Sequence, residues 1–322
     1  MRIAGRDRSK VDSLARKMDV ESQVATLEDA ASLRSLAASA TVVLNAAGPF
    51  VNTSDPLLDA CIAAGTHYLD ITGEVPAIEA AASRHDAAVR SGVMLMPGVG
   101  FDVVPSDCLA AHVARRLPDA KTLRLGFHGC QSLSRGSVRT AIGQMGEGVW
   151  VRRGGTIASV GPGGRIHYFD YGAGPQLSVA TSWGDVSAAF FSTGIPNIEV
   201  YFSATLPVLA WRAAERYWGG QMKAPAWRSW LTHQTRWMRE GPSEHERRAA
   251  RTTIVAEATD ARGRCVRSRL HGPEAYSLTA AAAVAIAERC LAGEWIPGFQ
   301  TPSKVFGADF ALSFHGISRT DL

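Results

Sequence analysis

Three short apolar segments in the first hundred residues each run directly into a loop rich in glycine, proline and polar side chains. The loops read Asn45-Ala-Ala-Gly-Pro-Phe50, Asp70-Ile-Thr-Gly-Glu74 and Pro97-Gly-Val-Gly-Phe-Asp102. Apolar segments separated by single helices are typical of parallel strands in a sheet covered on both faces. Because such strands end at one edge, where open α/β sheets bind ligands, the pattern predicts an α/β fold with a site built from these loops. Any one loop alone is equally well explained as a tight turn.

The segments between the loops carry helix signals. Asp55 is predicted to cap a helix that has Pro56 in its first turn and ends at Gly65. Further helices are expected from Pro76 to about Gly92 and from Pro105 to about Arg116. At the amino terminus, Arg2–Gly5 is typical of the end of a short strand, and Ser9–Met18 of an amphipathic helix.

The pattern changes after Pro118. Thr122–Phe127 and Ile198–Phe202 alternate in polarity like sheet strands, and a helix is expected at roughly 136–145. We predict a Rossmann-like domain over 1–117 and an α+β substrate or dimerisation domain over 118–274, with 275–322 returning to the first domain.

The composition excludes several classes of protein. A net charge of +4 is too small to indicate nucleic-acid binding. The five cysteines are odd in number and form no C-x-x-C pair, and the histidines have no metal-ligand spacing, so we expect reduced thiols, no metal and a cytoplasmic protein. No apolar run approaches the roughly 18 residues that a membrane span needs.

Longer motifs carry a family resemblance. They are VLNAAGPF at 43–50, HYLDITGE at 67–74, MPGVGFDVVPSDCLA at 96–110, SRGS at 134–137, WGDVSAAFFSTGIPNIEVY at 183–201 and TPSKVFGADF at 301–310. In these motifs the chain resembles the saccharopine dehydrogenase-like oxidoreductases, a group that includes trans-acting enoyl reductases. The resemblance implies a Rossmann domain that binds NADP(H), a second domain that shapes the substrate pocket, and hydride transfer to or from a C=N, C=O or C=C bond of a small-molecule or acyl substrate.

One departure from the family pattern affects what we expect of this chain. Family members carry a first strand and a G-x-x-G-type turn roughly thirty residues ahead of the Gly5-Arg6 pair, and the first βα unit is missing here. We therefore expect a start codon assigned too late, weak or absent NADPH binding by residues 1–322, and no stable place for Arg2–Met18 in the main sheet. The alternative is a cofactor-deficient binding or scaffold protein, associated with a membrane surface or not.

Candidate cofactor residues follow two predicted strands, the amino-terminal strand Arg2–Gly5 and the first of the three apolar segments. Arg6 ends the strand whose carboxyl terminus reads the cofactor ribose in Rossmann folds, and arginine there accommodates the 2′-phosphate of NADP. The Ala47-Gly48-Pro49-Phe50 turn lets the backbone approach the nicotinamide closely. The alternatives are a solvated Arg6 and a Phe50 that belongs to the core.

Candidate catalytic and substrate residues lie on the same edge. Asp70 and Asp102 follow neighbouring strands and are the best placed proton donors for a reduction. Glu74, and Arg135 as a clamp for a carboxylate or phosphate, are candidate substrate residues. The alternatives are turn-capping carboxylates and, for Arg135, a water-facing residue at a helix start.

The stretch from Trp211 to Arg251 is rich in tryptophan and arginine. It holds five of the chain's eight tryptophans, and nine basic residues against four acidic ones. Three explanations stay open: a helical arm that packs its tryptophans on its own domain, a surface for lipid or an apolar substrate that gives peripheral membrane contact through 211–251, and a protein interface. A homodimer is also compatible with the sequence.

Overall fold

The computed structural model describes residues 1–129, 135–161, 165–222, 224–238 and 241–322. Ser134 of the SRGS motif and Cys130 lie outside the described residues. The strands are β1 (Arg2–Gly5), β2 (Glu21–Val24), β3 (Val42–Asn45), β4 (His67–Asp70), β5 (Met94–Met96), β6 (Thr122–His128), β7 (Val149–Arg153), β8 (Thr156–Val160), β9 (Ile166–Asp170), β10 (Pro175–Ala180), β11 (Asn197–Ser203), β12 (Arg251–Thr259), β13 (Cys265–Pro273), β14 (Gly298–Phe299) and β15 (Ser318–Asp321).

Helices connect most of the strands of the first hundred residues. The α-helices are α1 (Arg8–Met18), α2 (Ala30–Ala38), α3 (Phe50–Ala64), α4 (Val75–Ser83), α5 (His85–Arg90), α6 (Val104–Arg116), α7 (Arg135–Gln144), α8 (Asp185–Thr193), α9 (Leu206–Met222), α10 (Pro225–Gln234), α11 (Glu244–Ala249), α12 (Ala275–Leu291) and α13 (Pro302–Phe306). Single 3₁₀ turns cover Thr235–Trp237 and Phe310–Ser313.

The strands that precede the three loops form one parallel sheet in the order β14-β5-β4-β3. The predicted parallel α/β arrangement is therefore confirmed. β14 comes from near the carboxyl terminus and pairs Gly298 with Met94 and Phe299 with Leu95. Leu58, Tyr68 and Leu95 are fully buried between this sheet and its helices, which explains why the strands are apolar on both faces.

The amino-terminal strand lies in a sheet of its own. β1 pairs in parallel with β2, from Arg2 opposite Glu21 to Gly5 opposite Val24. Among the described residues, β1 and β3 each have a strand partner on one side only. Arg2 is held by the Glu21 carboxylate at 2.9 Å and by the Ser39 hydroxyl at 2.8 Å.

The second half of the chain builds a large mixed sheet in the order β15-β13-β12-β6-β11-β10-β9, with β7 and β8 attached at β11. β6 and β11 run parallel, while β12, β13 and β15 are antiparallel neighbours. This arrangement agrees with the α+β architecture expected after Pro118. Of the segment expected to return to the first domain, β14 joins the first sheet and β15 joins the large one.

Two helix boundaries differ from the sequence prediction. α3 begins at Phe50 rather than at Asp55, so Pro56 lies inside the helix, and only the end at Gly65 (φ 72°) is confirmed. The earlier start has a tertiary cause, because a carboxylate from another loop accepts the first N–H groups of the helix. The expected helix from Pro76 is divided at Arg84 into α4 and α5.

Candidate functional site

The loops after β3, β4 and β5 lie together at the carboxyl edge of the parallel sheet. Asp70, the last residue of β4, accepts hydrogen bonds from the backbone N–H of Thr72 in its own loop and of Gly98 in the next loop, both at 2.9 Å. The backbone N–H of Val99 donates to the Asp70 carbonyl at 2.7 Å. The parallel sheet thus brings the predicted site residues of these loops to one place.

Asp70 is fully buried, and its carboxylate is saturated with partners. The Tyr68 hydroxyl donates to Oδ2 at 2.7 Å, opposite the two backbone donors on Oδ1. Burial raises its pKa to about 6, although these hydrogen bonds oppose the shift. The Asp70 carboxylate therefore holds two loops together and is not open to a substrate.

Glu74 is also buried and holds the start of α3. Its two carboxylate oxygens accept the backbone N–H groups of Phe50 at 3.0 Å and of Val51 at 2.8 Å. An anion at a helix amino terminus satisfies donors that the helix itself leaves unpaired. Glu74 therefore ties the second loop to the first, and contact with a substrate stays a prediction for this residue.

Asn45, which the sequence analysis did not single out, organises the first loop. Its side-chain amide donates to the Thr53 hydroxyl at 3.1 Å and to the Tyr68 hydroxyl at 3.2 Å, while its oxygen accepts the N–H of Ala47 at 3.0 Å. The sequence did contain a signal for this role, because the side chain of an asparagine at a strand end often accepts a hydrogen bond from the backbone two residues further on.

Asp102 has the most perturbed carboxyl group at the open edge. It is half-buried, and its carboxylate forms no hydrogen bond or ion pair with the described part of the chain. Burial raises its pKa to about 7, and the negative charge of Glu74 adds to the shift. A carboxyl group that is partly protonated near neutral pH and lies at the carboxyl edge of a parallel sheet is suited to general acid catalysis.

Gly73 and Gly184 make room for this carboxyl group. A methyl group on Gly73 would lie 2.6 Å from Oδ2 of Asp102, so the loop tolerates only glycine while the carboxyl group keeps its position. A methyl group on Gly184, just before α8, would lie 3.2 Å from the Gly73 carbonyl oxygen. The indole N–H of Trp183 donates to the Asp102 carbonyl at 3.0 Å. The second half of the chain therefore packs directly against the second and third loops.

The residues expected to hold the cofactor are accessible. Arg6 follows β1, is exposed, and forms no hydrogen bond or ion pair with the residues that the structure describes. Ala47, Gly48 and Pro49 are exposed, and Phe50 is half-buried at the start of α3. The Gly48–Pro49 peptide bond is cis. A guanidinium and an open backbone turn at the carboxyl edge of parallel strands fit an anionic dinucleotide in their chemistry.

Arg135 begins α7 and is half-buried. Its role as a substrate clamp stays a prediction, and Ser134 beside it lies outside the described residues.

Two buried acids near the site were missed by the sequence analysis. Asp107 and Asp185 are fully buried at the starts of α6 and α8, and burial raises the pKa of both. Asp107 accepts the N–H of Ser303 at 2.7 Å, whereas neither carboxyl oxygen of Asp185 has a hydrogen-bond partner among the described residues. Nothing in the sequence distinguishes these residues from ordinary helix-start aspartates, because their burial depends on the packing of α6 against α8.

The described residues contain no cluster of three or more histidine, cysteine, aspartate or glutamate side chains arranged to hold a metal ion. Within the same residues, no helix has the length and apolar character to cross a bilayer.

The family model described as "Saccharopine dehydrogenase NADP binding domain" matches residues 1–96. The chain is 34% identical over 117 residues to a saccharopine dehydrogenase-like oxidoreductase of Bos taurus, a match covering 33% of this chain and 27% of that protein. It is 32% identical over 126 residues to a trans-acting enoyl reductase of Mycobacterium ulcerans, covering 37% of this chain and 30% of that protein. The chain thus spans less than a third of the length of these curated relatives.

A solved structure extends the likeness to the whole fold. The apo saccharopine dehydrogenase (L-Glu forming) of Saccharomyces cerevisiae aligns with 100% of this chain and 94% of its own, with a TM-score of 0.61 and 12% identity. At that identity, the likeness shows a shared fold alone.

Proposed function

We propose that the chain is an NADP-dependent oxidoreductase, and the match of residues 1–96 to the saccharopine dehydrogenase NADP-binding domain model supports this proposal. Its reaction is hydride transfer to or from a C=N, C=O or C=C bond of a small or acyl substrate. The observation that carries the proposal is the half-buried Asp102 carboxyl group, with a pKa raised to about 7, at the edge formed by the three loops.

The chain's own residues divide the work of binding. Arg6 would hold the 2′-phosphate of a bound cofactor, and the turn from Ala47 to Phe50 would support its nicotinamide half. NADPH, when bound, supplies the hydride. The Glu74 carboxylate holds the N–H groups of Phe50 and Val51, which keeps that turn in place.

Asp102 supplies the proton for the reduction. The Asp102 carboxyl group would donate its proton to the atom of the double bond that does not receive the hydride, and would itself become a carboxylate. Asp70 acts as a positioning residue, because it ties the loop of Thr72 to the loop of Gly98. Since the acid form is needed, reduction slows as the pH rises through about 7.

The experiment compares the dissociation constants of NADPH and NADH for the wild-type chain and for Arg6→Ala. A ratio is measured so that a low overall affinity does not hide the preference. A hydrogen bond to a charged group contributes about 1.5–3 kcal/mol, so we expect Arg6→Ala to weaken NADPH binding roughly 10- to 100-fold and to leave NADH unchanged. The control is Arg16→Ala, an exposed arginine in the last turn of α1.

Turnover is followed by NADPH oxidation against imines, ketones and enoyl thioesters. The similarity to a trans-acting enoyl reductase supports including the enoyl thioesters. Equal binding of NADPH and NADH, unchanged by Arg6→Ala, would refute the role of Arg6. Absence of both binding and turnover would favour the cofactor-deficient binding or scaffold protein instead.

A further inference from the structure

The helical arm after β11 exposes its aromatic side chains. Five of them are between 45% and 85% exposed, and we term this group the aromatic face: Tyr217, Trp218, Trp227, Trp230 and Trp237. The side chain of Trp211 lies outside the described residues. By contrast, the tryptophans elsewhere in the chain, at 150, 183 and 295, are half-buried. The exposure is therefore confined to this arm, and the explanation in which these tryptophans pack on their own domain does not hold for the described ones.

The arm is fastened to the body of the protein by a different set of residues. Arg228 in α10 donates to the Met145 carbonyl and, at 2.8 Å, to the Glu147 carboxylate. Arg139 in α7 donates to the hydroxyl of the buried Thr235 at 2.8 Å. These bonds hold α10 against α7 and leave Trp227 and Trp230 exposed, with their rings stacked at 5.0 Å.

The charge of the arm is strongly one-sided. Residues 206–238 contain five arginines and lysines and a single acidic residue, Glu215, although the whole chain has 34 basic and 30 acidic residues. Arg216 and Arg236 are exposed and directly precede Tyr217 and Trp237 in the sequence. Such a surface is complementary to an anionic one, and tryptophan and tyrosine side chains are enriched where a bilayer meets water.

We propose that the aromatic face docks on an anionic phospholipid surface. The rings lie at the depth of the headgroups, and Arg216 and Arg236 contact lipid phosphates. The arm lies on the surface without crossing it, in keeping with the lack of a membrane-spanning helix among the described residues. Docking needs neither cofactor nor substrate, so this inference is independent of the proposed oxidoreductase activity. It places α7, the helix that begins at Arg135, next to the lipid.

The test is vesicle flotation of the 1–322 chain with two kinds of vesicle: phosphatidylcholine alone, and phosphatidylcholine with an equal amount of phosphatidylglycerol. We expect binding to the anionic vesicles, together with quenching of tryptophan fluorescence by lipids brominated in the acyl chains. Each basic residue near such a surface contributes about fivefold in affinity. Arg216→Glu with Arg236→Glu should therefore weaken binding more than 20-fold, and Trp227→Ser with Trp230→Ser more than tenfold.

Control variants make single changes of the same kind elsewhere on the surface. Arg262→Glu reverses the charge of an exposed arginine in the β12–β13 hairpin, and Tyr168→Ser removes a 58% exposed ring from β9. Neither control should change binding. Failure of the wild-type chain to bind anionic vesicles would overturn the proposal, as would equal loss in arm and control variants. A concentration-dependent dimer that Trp227→Ser with Trp230→Ser abolishes would show instead that a second copy covers the face.

Discussion

Replacing Asp102 by asparagine should stabilise the protein at alkaline pH even as it removes the proposed proton donor. In the folded chain, burial and the nearby Glu74 raise the pKa of Asp102 from its ordinary value of 3.8 to about 7. The folded protein therefore binds this proton more tightly than the unfolded chain does. The favourable contribution is fully present below pH 3.8 and is lost as the pH rises through about 7.

The size of the effect follows from the shift. One pKa unit corresponds to about 1.4 kcal/mol, so a shift of about three units sets an upper limit of about 4 kcal/mol. Because the Asp102 side chain is only half-buried, water screens part of the cost, and we expect about 2 kcal/mol. Asparagine keeps the shape of the side chain and has no charge to bury, so its stability should not carry this dependence on pH.

Urea unfolding at pH 4.5 and pH 8 measures the difference. We compare the free energy of unfolding of Asp102→Asn with that of the wild-type chain at each pH. This difference should be about 2 kcal/mol more favourable to the variant at pH 8 than at pH 4.5. The control is Asp119→Asn, at an exposed turn aspartate that forms no hydrogen bond with the described residues. Parallel pH profiles for wild type and Asp102→Asn would refute the reasoning. In turnover, the same variant should be slower by about 10²- to 10⁴-fold.

Two further predictions concern the residues that hold the loops. Glu74→Gln should lower the free energy of unfolding by about 1–3 kcal/mol, because the glutamine amide has only one oxygen to accept the two N–H groups at the start of α3. Urea unfolding measures the change. The control is Glu28→Gln, at an exposed residue, which should change the free energy of unfolding little. Gly73→Ala should displace the Asp102 carboxyl group, since the new methyl group would lie 2.6 Å from Oδ2, and should lower turnover at least tenfold. In Gly161→Ala the new methyl group would meet no atom within 4 Å, so equal losses in the two variants would contradict the steric argument.

Much of the first sheet was predictable from local patterns. β3, β4 and β5 each end within one residue of the start of the loop predicted to follow them, and Gly65 ends its helix as expected. The start of α3 was not predictable in the same way. Asp55 and Pro56 form a good local helix start, yet Glu74, 24 residues after Phe50 in the sequence, supplies the acceptors that extend the helix back to Phe50.

The candidate site also has features that the sequence predicts and features that only the fold decides. Its position at the carboxyl edge of parallel strands follows from the order of apolar runs and loops, and the sequence alone places Asp70 and Asp102 there, whereas Arg6 follows β1 in the separate two-stranded sheet. The sequence did not show that the carboxyl groups of Asp70 and Asp102 differ in their hydrogen-bond partners. Both follow strands, but the folded chain surrounds Asp70 with donors and leaves the Asp102 carboxyl group beside Gly73 with none from the described residues.

The sequence by itself therefore determined the parallel α/β core, the edge that carries the loops and the excess of tryptophan and arginine in one segment, because these depend on local polarity and composition. Only the tertiary structure decided which carboxyl groups are saturated, which acids are buried without a partner, and that the described tryptophans of the arm face outward. Those properties depend on burial and on donors brought from distant parts of the chain, and burial is a property of the packed fold rather than of any single segment.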